Sequence, residues 1–236
     1  MAPSLQWRDR KDNLVSRSFG EDIKFGKRSD AGTGYLAHSD RVGPGVVLLH
    51  EFFGLTQSFR DYADGLNREG FTVLVPDLYD GAIAEDPTEA EAMADSLDTE
   101  RTMLQLRAAC EHLTANWHPR LALVGFSLGA SLSVPLAREV DTEALVLYYG
   151  MHEGVDLDGW RVPVLGHFAE QDEWTPRPEA EAWFARLEAS GADAEMHVYP
   201  GTGHWFANPD VPEAFDEAAA EAAWGRTVEF LRYHAA

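Results

Sequence analysis

A strand, a sharp turn and a helix are predicted around the pattern Gly-x-Ser-x-Gly at residues 125–129. Four apolar residues, 121–124, run directly into this pattern, and a helical pattern follows it. Gly125 and Gly129 lack a Cβ, so strand and helix can approach closely around a strained backbone at Ser127. The strand would present the Ser127 hydroxyl above the sheet edge, beside the unpaired N–H groups of a helix N-terminus. This context indicates a nucleophilic serine rather than a glycine-flanked serine in an ordinary turn.

Strand and helix patterns alternate along the rest of the chain. A hairpin is expected at 19–25 and 34–38, and further strands at 45–50, 71–76, 121–126, 144–149, 162–168 and 194–199. Helical patterns lie between them, and the last one covers about 211–234. This alternation favours a mainly parallel, doubly wound α/β sheet flanked by helices. We expect a single domain over residues 1–236, with a loose arm at 1–18. No large lid domain is expected, and 76–97 is the candidate for a small cap.

Charge and composition exclude several classes of partner. The formal net charge is −21 and no basic cluster occurs, which argues against nucleic acid or an anionic membrane surface as a partner. Cys110 is the single cysteine and lies on an apolar helix face, so no internal disulfide is expected. The N-terminus has no apolar signal region, and no apolar run is long enough to span a bilayer. These features predict a soluble, cytoplasmic protein, and they leave its oligomeric state open.

A base and an orienting acid are predicted on loops that follow later strands. An elbow serine takes its partners in the chain order Ser, Asp or Glu, His. Asp172 follows the strand at 162–168, and His204 follows the strand at 194–199 after two glycines. His204 would accept the Ser127 proton, and Asp172 would fix the His204 tautomer. Glu170 and Glu173 remain rivals for the acid.

Two backbone N–H groups are expected to form an oxyanion hole. One belongs to Leu128, directly after the nucleophile, and the other to Phe52 in the loop after the strand at 45–50.

No cluster of His, Cys or Asp has metal-ligand spacing, and no wider Gly-x-Gly-x-x-Gly fingerprint occurs. We therefore expect no metal and no cofactor.

Five motifs in order resemble the dienelactone hydrolase family of α/β-hydrolases. They are His50-Glu51-Phe52-Phe53-Gly54-Leu55, Pro76-Asp77-Leu78-Tyr79, the Gly-x-Ser-x-Gly-Ala elbow, Gln171-Asp172-Glu173 and Tyr199-Pro200-Gly201-x-Gly203-His204-x-Phe206-Ala207. The resemblance covers roughly residues 20–234. It implies an α/β-hydrolase fold and a hydrolase that cleaves an ester or lactone with a nucleophile–His–Asp triad.

The chain departs from the best-known members of this family in three places. Those members carry a cysteine nucleophile where this chain has Ser127. They have a Glu, matched here by Glu51, that contacts the resting nucleophile. Glu51 is thus a candidate for ordering the oxyanion loop, for bonding Ser127 or a substrate group, or for a purely structural role. The dienelactone-cleaving members bind the substrate carboxylate with two arginines. Here those positions fall in the segment 79–82 and at Asn208, neither of which contains an arginine.

Aromatic residues flank the predicted catalytic loops instead. A substrate pocket is expected to include Phe53, Tyr79, Trp174, Trp205 and Phe206, together with Phe52. These rings favour a small, neutral ester or lactone as the substrate, cleaved through an acyl-enzyme intermediate. A thioesterase or peptidase on the same triad remains an alternative. So does a non-catalytic relic of the fold used for binding, although such a relic would be expected to lose part of the triad.

Overall fold

The computed structural model describes residues 20–39, 43–117 and 119–235. The predicted arm at 1–18 lies outside them. Along the described chain the elements are β1 (Glu21–Phe25), β2 (Gly32–Ala37), β3 (Gly45–Leu49), α1 (Gln57–Arg68), β4 (Thr72–Asp77), α2 (Pro87–Asp95), α3 (Thr99–Asn116), β5 (Leu121–Phe126), α4 (Leu128–Glu139), β6 (Ala144–Tyr148), β7 (Val164–Gln171), α5 (Arg177–Ala189), β8 (Ala194–Gly203) and α6 (Glu217–His234).

The strands form one eight-stranded sheet in the order β1-β2-β4-β3-β5-β6-β7-β8. The pairs from β4 through β3 to β8 are parallel, and β1 and β2 extend the sheet antiparallel at the β4 side. The chain runs outward from β3 to β4 on one side, and from β5 to β8 on the other. Ligands of open α/β sheets bind at such a reversal of strand order, outside the carboxyl ends of the strands. In this sheet the carboxyl ends of β3 and β5 meet there.

Helices cover both faces of the sheet, as predicted for a doubly wound fold. One face packs against α1 and α6, with side chains such as Phe59, Leu66 and Leu231 fully or almost fully buried. The other packs against α3, α4 and α5, where Leu106 and Trp183 are buried. The short helix α2 lies instead over the loop after β3. In the part of the chain that the structure describes, no helix is long and apolar enough to cross a membrane.

Two elements differ from the sequence prediction by more than three residues at one end. The last helix was expected from about residue 211, but α6 begins at Glu217 because Asp216 caps it by accepting a hydrogen bond from the Ala219 N–H. Residues 211–215 form a separate turn, in which the N–H of Phe215 donates to the carbonyl of Val211. Strand β8 was expected to end at 199, yet it continues through Pro200 and Gly201 to residue 203. An edge strand tolerates a proline because its outer N–H groups need no partner.

A chain of buried polar side chains ties α6 to the central sheet. The Oγ1 atom of Thr227, on α6, lies 2.7 Å from the Tyr148 hydroxyl and 3.0 Å from His167 Nε2. His167 Nδ1 lies 2.9 Å from the hydroxyl of Tyr199. Burial lowers the pKa of His167 well below its ordinary value, so its ring is neutral. The chain is satisfied only while each member has its partners.

Replacing Thr227 with valine is expected to destabilise the protein by about 1–3 kcal/mol, because His167 Nε2 loses its partner and the Tyr148 hydroxyl keeps only that of Tyr62, while the side-chain shape is kept. The free energy of unfolding in urea measures this effect. Thr114→Val is the matched control, since Thr114 is exposed on α3 and bonds only main-chain carbonyls of its own helix. Its expected effect is within about 0.5 kcal/mol. Equal stability of wild type and Thr227→Val would contradict a role for this polar chain.

Candidate active site

Ser127 lies at a strained turn between β5 and α4. Its backbone has φ +49° and ψ −110°, a conformation that a non-glycine residue rarely adopts. A Cβ at Gly125 would lie 2.5 Å from the Gly129 carbonyl oxygen, and a Cβ at Gly129 would lie 2.3 Å from the Leu49 carbonyl oxygen. Only glycine therefore fits at either side of the turn. The Ser127 N–H donates to the carbonyl of Tyr148 at 2.9 Å, which holds the turn on β6.

A continuous hydrogen-bonded chain joins Ser127, His204 and Asp172. Ser127 Oγ lies 2.9 Å from His204 Nε2, and His204 Nδ1 lies 2.7 Å from Asp172 Oδ2. A carboxylate only accepts, so His204 Nδ1 carries the proton and Nε2 is free to accept the Ser127 hydroxyl proton. The Asp172 side chain is fully buried. The structure thus brings together the three residues that the sequence predicted as nucleophile, base and acid.

The other oxygen of Asp172 fixes the direction of its carboxylate. Oδ1 accepts hydrogen bonds from the N–H groups of Trp174 and Thr175, both at 2.9 Å. The two rivals point elsewhere: Glu170 accepts from the Gly201 N–H at 2.9 Å, and Glu173 is exposed. Asp172 is therefore the carboxylate that reaches His204.

The register of β7 on β8 places the acid beside the base. Gln171 pairs with Gly203 after a bulge that begins at Ala169. Asp172 and His204 are the next residues on their strands, so they leave the sheet side by side. Sequence reasoning placed both residues after strands but missed this pairing, because Pro200 and Gly201 resemble the start of a loop.

Tyr149 packs against His204 and bonds the loop that carries Asp172, and the sequence gave no signal for these contacts. Its backbone has φ +38°, and its ring packs against the His204 ring with centroids 4.8 Å apart. Its carbonyl accepts from the Thr175 hydroxyl at 3.1 Å. Tyr149 thereby connects the end of β6 to the loops that carry Asp172 and His204.

The two predicted oxyanion donors lie at the ends of β3 and β5. A turn after β3 is closed by the Gly54 N–H donating to the Glu51 carbonyl at 3.2 Å, and the N–H of Phe52, inside the turn, takes no part in that bond. Leu128 is the first residue of α4, so its N–H has no acceptor within the helix. Parallel β3 and β5 bring both groups to the same sheet edge, with Leu49 paired to Gly125.

Glu51 does not bond Ser127 but is buried beneath the turn that contains Phe52. The exposed fraction of Glu51 is 0 %. Its Oε1 accepts a hydrogen bond from Asn208 Nδ2, and its Oε2 accepts one from the Tyr149 hydroxyl at 3.3 Å. Asn208 occupies the position where the resemblance implied an arginine in dienelactone-cleaving relatives. Here its amide is committed to Glu51.

Four aromatic rings form a cluster next to His204. The ring centroids of Phe52 and Trp205 are 5.7 Å apart, and Trp174 lies 5.8 Å from Phe52 and 6.1 Å from His204. Phe53 packs 4.7 Å from Phe52 and touches helix α2 through the same apolar cluster. Trp174 is 55 % exposed, which leaves its face available to a ligand.

The other two predicted pocket residues lie away from this group. Phe206 is fully buried in the core, where its ring packs against Tyr149 and Tyr199. Tyr79 is half-buried and packs 5.5 Å from the His50 ring. Its hydroxyl is buried without a hydrogen-bond partner in the structure. Phe206 therefore supports the loops, whereas Tyr79 lies beneath the turn after β3.

The sheet and the loops at its carboxyl edge define a hydrolase of the α/β type. The chain belongs to the dienelactone hydrolase family, since the model of that family matches residues 33–235. An Azospirillum brasilense protein, provisionally named a carboxymethylenebutenolidase, is 31 % identical over 93 % of this chain and 98 % of its own length. Protein usf from Aquifex pyrophilus is 27 % identical over 90 % of this chain and 98 % of its own length.

A solved structure has the same fold. It is a dienelactone hydrolase-like promiscuous phosphotriesterase from metagenomic libraries, with a TM-score of 0.80 and 20 % identity. The alignment covers 92 % of this chain and 98 % of that chain. The predicted fold class and family are thus confirmed, and the chain is an enzyme of a family of ester and lactone hydrolases.

Proposed function

We propose that this protein is a serine hydrolase that cleaves a small, neutral carboxylic ester or lactone through an acyl-enzyme intermediate. The observation that carries the proposal is the hydrogen-bonded chain from Ser127 Oγ through His204 to Asp172. Family membership supports the ester or lactone chemistry. The complete triad also argues against a non-catalytic relic of the fold.

In the first half-reaction, Ser127 Oγ attacks the carbonyl carbon and its proton passes to His204 Nε2. Asp172 holds the Nδ1 proton and stabilises the imidazolium that forms. The carbonyl oxygen becomes an oxyanion and accepts hydrogen bonds from the N–H groups of Phe52 and Leu128. Collapse of this intermediate breaks the bond to the alkoxide, which takes the proton from Nε2 as it leaves. Ser127 then carries the acyl group.

In the second half-reaction, water replaces the alcohol. His204 Nε2 removes a proton from the water, and the resulting hydroxide attacks the acyl carbonyl. The same two N–H groups stabilise the second oxyanion. Ser127 leaves as an alkoxide, recovers its proton from Nε2, and the carboxylic acid is released. For a lactone, the alcohol and the acid are the two ends of one product.

The site favours an uncharged substrate. Asn208 stands where an arginine would bind a substrate carboxylate, and its amide already donates to Glu51. The segment 79–82 supplies no cation either, and the formal net charge is −21. The aromatic rings next to His204 suit an apolar acyl or aryl group instead. A substrate carboxylate would lose its hydration without gaining an ionic partner.

Hydrolysis of p-nitrophenyl esters from acetate to octanoate tests the proposed activity, and the chain-length optimum measures the size of the pocket. A matched pair of esters, one neutral and one with a carboxylate at the end of the acyl chain, tests the charge preference. We expect kcat/KM to favour the neutral ester by at least about tenfold, which corresponds to about 1.4 kcal/mol. Preference for the anionic ester would contradict the neutral-substrate claim. Turnover of thioesters or peptides but not of oxygen esters would favour the alternative leaving groups.

A further inference from the structure

Glu51 is a buried carboxyl group with neutral partners only. Its side chain is held by the amide of Asn208 and the hydroxyl of Tyr149. Among the described groups that act on the carboxyl, none is cationic. Burying an ionised carboxylate without a cation costs several kcal/mol, so such a group tends to keep its proton.

The N–H of Asp210 fixes the orientation of the Asn208 amide. Asn208 Oδ1 accepts from the Asp210 N–H at 2.8 Å, which turns Nδ2 toward Glu51. The Asp210 carboxylate in turn accepts from the hydroxyls of Thr56 and Ser58 at 2.7 and 2.6 Å. These bonds attach the segment after His204 to the N-terminus of α1, next to the turn that contains Phe52.

The backbone of Glu51 belongs to the oxyanion turn itself. Its carbonyl accepts from the Gly54 N–H, and it lies 2.7 Å from His50 Nδ1. His50 Nε2 accepts from the Leu78 N–H at 3.2 Å, so Nδ1 carries the proton. Burial lowers the pKa of His50, which is therefore neutral as well. A shift of the Glu51 side chain would move the peptide that supplies the Phe52 N–H.

Burial and the charge of Asp210 favour the protonated form of Glu51, and the two hydrogen-bond donors Tyr149 and Asn208 oppose it. Burial raises the pKa of Glu51 from 4.5 to about 8, and the negative charge of Asp210 acts in the same direction. The hydrogen bonds from Tyr149 and Asn208 act in the opposite direction but are weaker than the effect of burial. The pKa of Tyr149 is raised well above its ordinary value, so this hydroxyl also stays neutral.

We propose that Glu51 acts as a neutral carboxylic acid that positions the oxyanion turn, with Asn208 and Tyr149 as the positioning residues that hold it. This inference rests on the proposed serine-hydrolase function. The acid joins the turn after β3, the end of β6 and the segment after His204, which are the three parts that must stay in register around Ser127. Its proton allows this link without placing a negative charge beside the oxyanion. If Glu51 lost this proton, its carboxylate would repel the developing oxyanion. It would also be a buried negative charge with no cation beside it.

The kinetic test compares the pH dependence of kcat in wild type and Glu51→Gln. When Glu51 is protonated, its Oε1 accepts from Asn208 Nδ2 and its O–H replaces the Tyr149 hydroxyl as the donor, so that it donates to the Tyr149 oxygen. Glutamine keeps this shape and uncharged state, because its oxygen accepts from Asn208 and its NH₂ donates to the Tyr149 oxygen. In wild type, kcat should fall about tenfold between pH 7 and pH 9, as a group with a pKa of about 8 ionises. In Glu51→Gln, activity at pH 7 should be within about threefold of wild type and the alkaline decline should disappear. Glu173→Gln, an exposed carboxyl outside the site, is the matched control and should keep the decline.

Two measurements that need no substrate separate this inference from the proposed function. A folded-state pKa above the unfolded one means that the stability from the neutral form is complete below pH 4.5 and is lost as the pH rises to about 8. The urea midpoint of wild type should therefore fall relative to that of Glu51→Gln over this range. The infrared difference spectrum between the two proteins at pH 7 should contain the carbonyl stretch of a protonated carboxylic acid.

The outcomes of these experiments separate a failure of the inference about Glu51 from a failure of the proposed function. An alkaline decline that persists in Glu51→Gln, or a carboxylate band in place of the acid band, would overturn the inference while leaving the triad intact. Absence of ester turnover in wild type would instead contradict the proposed function. The urea and infrared measurements would then still decide whether Glu51 is neutral, and an ionised Glu51 would overturn the inference by itself.

Discussion

Ser127→Ala is expected to lower kcat for ester hydrolysis roughly 10⁴- to 10⁶-fold, because it removes the atom that attacks the substrate. His204→Ala should be similarly severe, since Ser127 Oγ has Nε2 of His204 as its proton acceptor at 2.9 Å. The two residues act as a unit, so the double variant should be scarcely slower than either single variant. Single-turnover and steady-state rates on a p-nitrophenyl ester measure the effect.

Two controls distinguish a loss of catalysis in these variants from a loss of folding. The urea midpoints of Ser127→Ala and wild type should be close, because the turn depends on backbone conformation and on Gly125 and Gly129 rather than on the hydroxyl. Ser131→Ala, one helical turn further along α4, should retain activity within about threefold. Substantial activity in His204→Ala would show that another group accepts the proton, and the triad assignment would then be wrong.

Asp172→Asn should lower kcat by about 10⁴-fold with little change in structure. The asparagine oxygen would accept the N–H groups of Trp174 and Thr175, as Oδ1 of Asp172 does now. Its NH₂ would then face His204 Nδ1, which must accept. The imidazole proton would move to Nε2, and this nitrogen could no longer take the Ser127 proton. A comparison of kcat for wild type and Asp172→Asn over pH 6–9 measures the loss.

Glu170→Gln and Glu173→Gln are the matched controls for the acid. Both replace a carboxylate by an amide on the same loop, and neither side chain contacts His204 in the described hydrogen bonds. Glu170 bonds the Gly201 N–H, so its substitution tests the loop without touching the triad. Each control should keep kcat within about threefold of wild type. If one of them were as damaging as Asp172→Asn is expected to be, the identity of the acid would have to be revised.

The fold and the close placement of Ser127, His204 and Asp172 were predictable because local patterns specify them. The apolar run before Gly125, the two glycines around Ser127 and the strands before Asp172 and His204 are all short-range signals. Parallel strands then bring their carboxyl ends to one edge, which assembles the site without further information. Boundaries were less predictable: β8 continues through Pro200 because an edge strand tolerates a missing donor, and this depends on a neighbour far away in the sequence.

The support around the triad could not be derived from sequence, since it depends on contacts between distant segments. Tyr149 reads as the last residue of a buried strand, and nothing local indicates that its ring packs on His204 or that its hydroxyl reaches Glu51. The sequence singled out Asn208 only because the position lacks the arginine of dienelactone-cleaving relatives. Its bond to Glu51 joins residues 157 positions apart. Phe206 is only one residue further from the histidine than Trp205, yet it is fully buried in the core.

The central claim is that Ser127 is a nucleophile activated by His204, and covalent labelling tests it most directly. Wild type and variants would be treated with a fluorophosphonate, digested, and analysed by peptide mass spectrometry. The account predicts one adduct, on the peptide that contains Ser127, formed rapidly in wild type, slowly in His204→Ala and not at all in Ser127→Ala. An unlabelled wild type, or an adduct on a different residue that survives in Ser127→Ala, would contradict it.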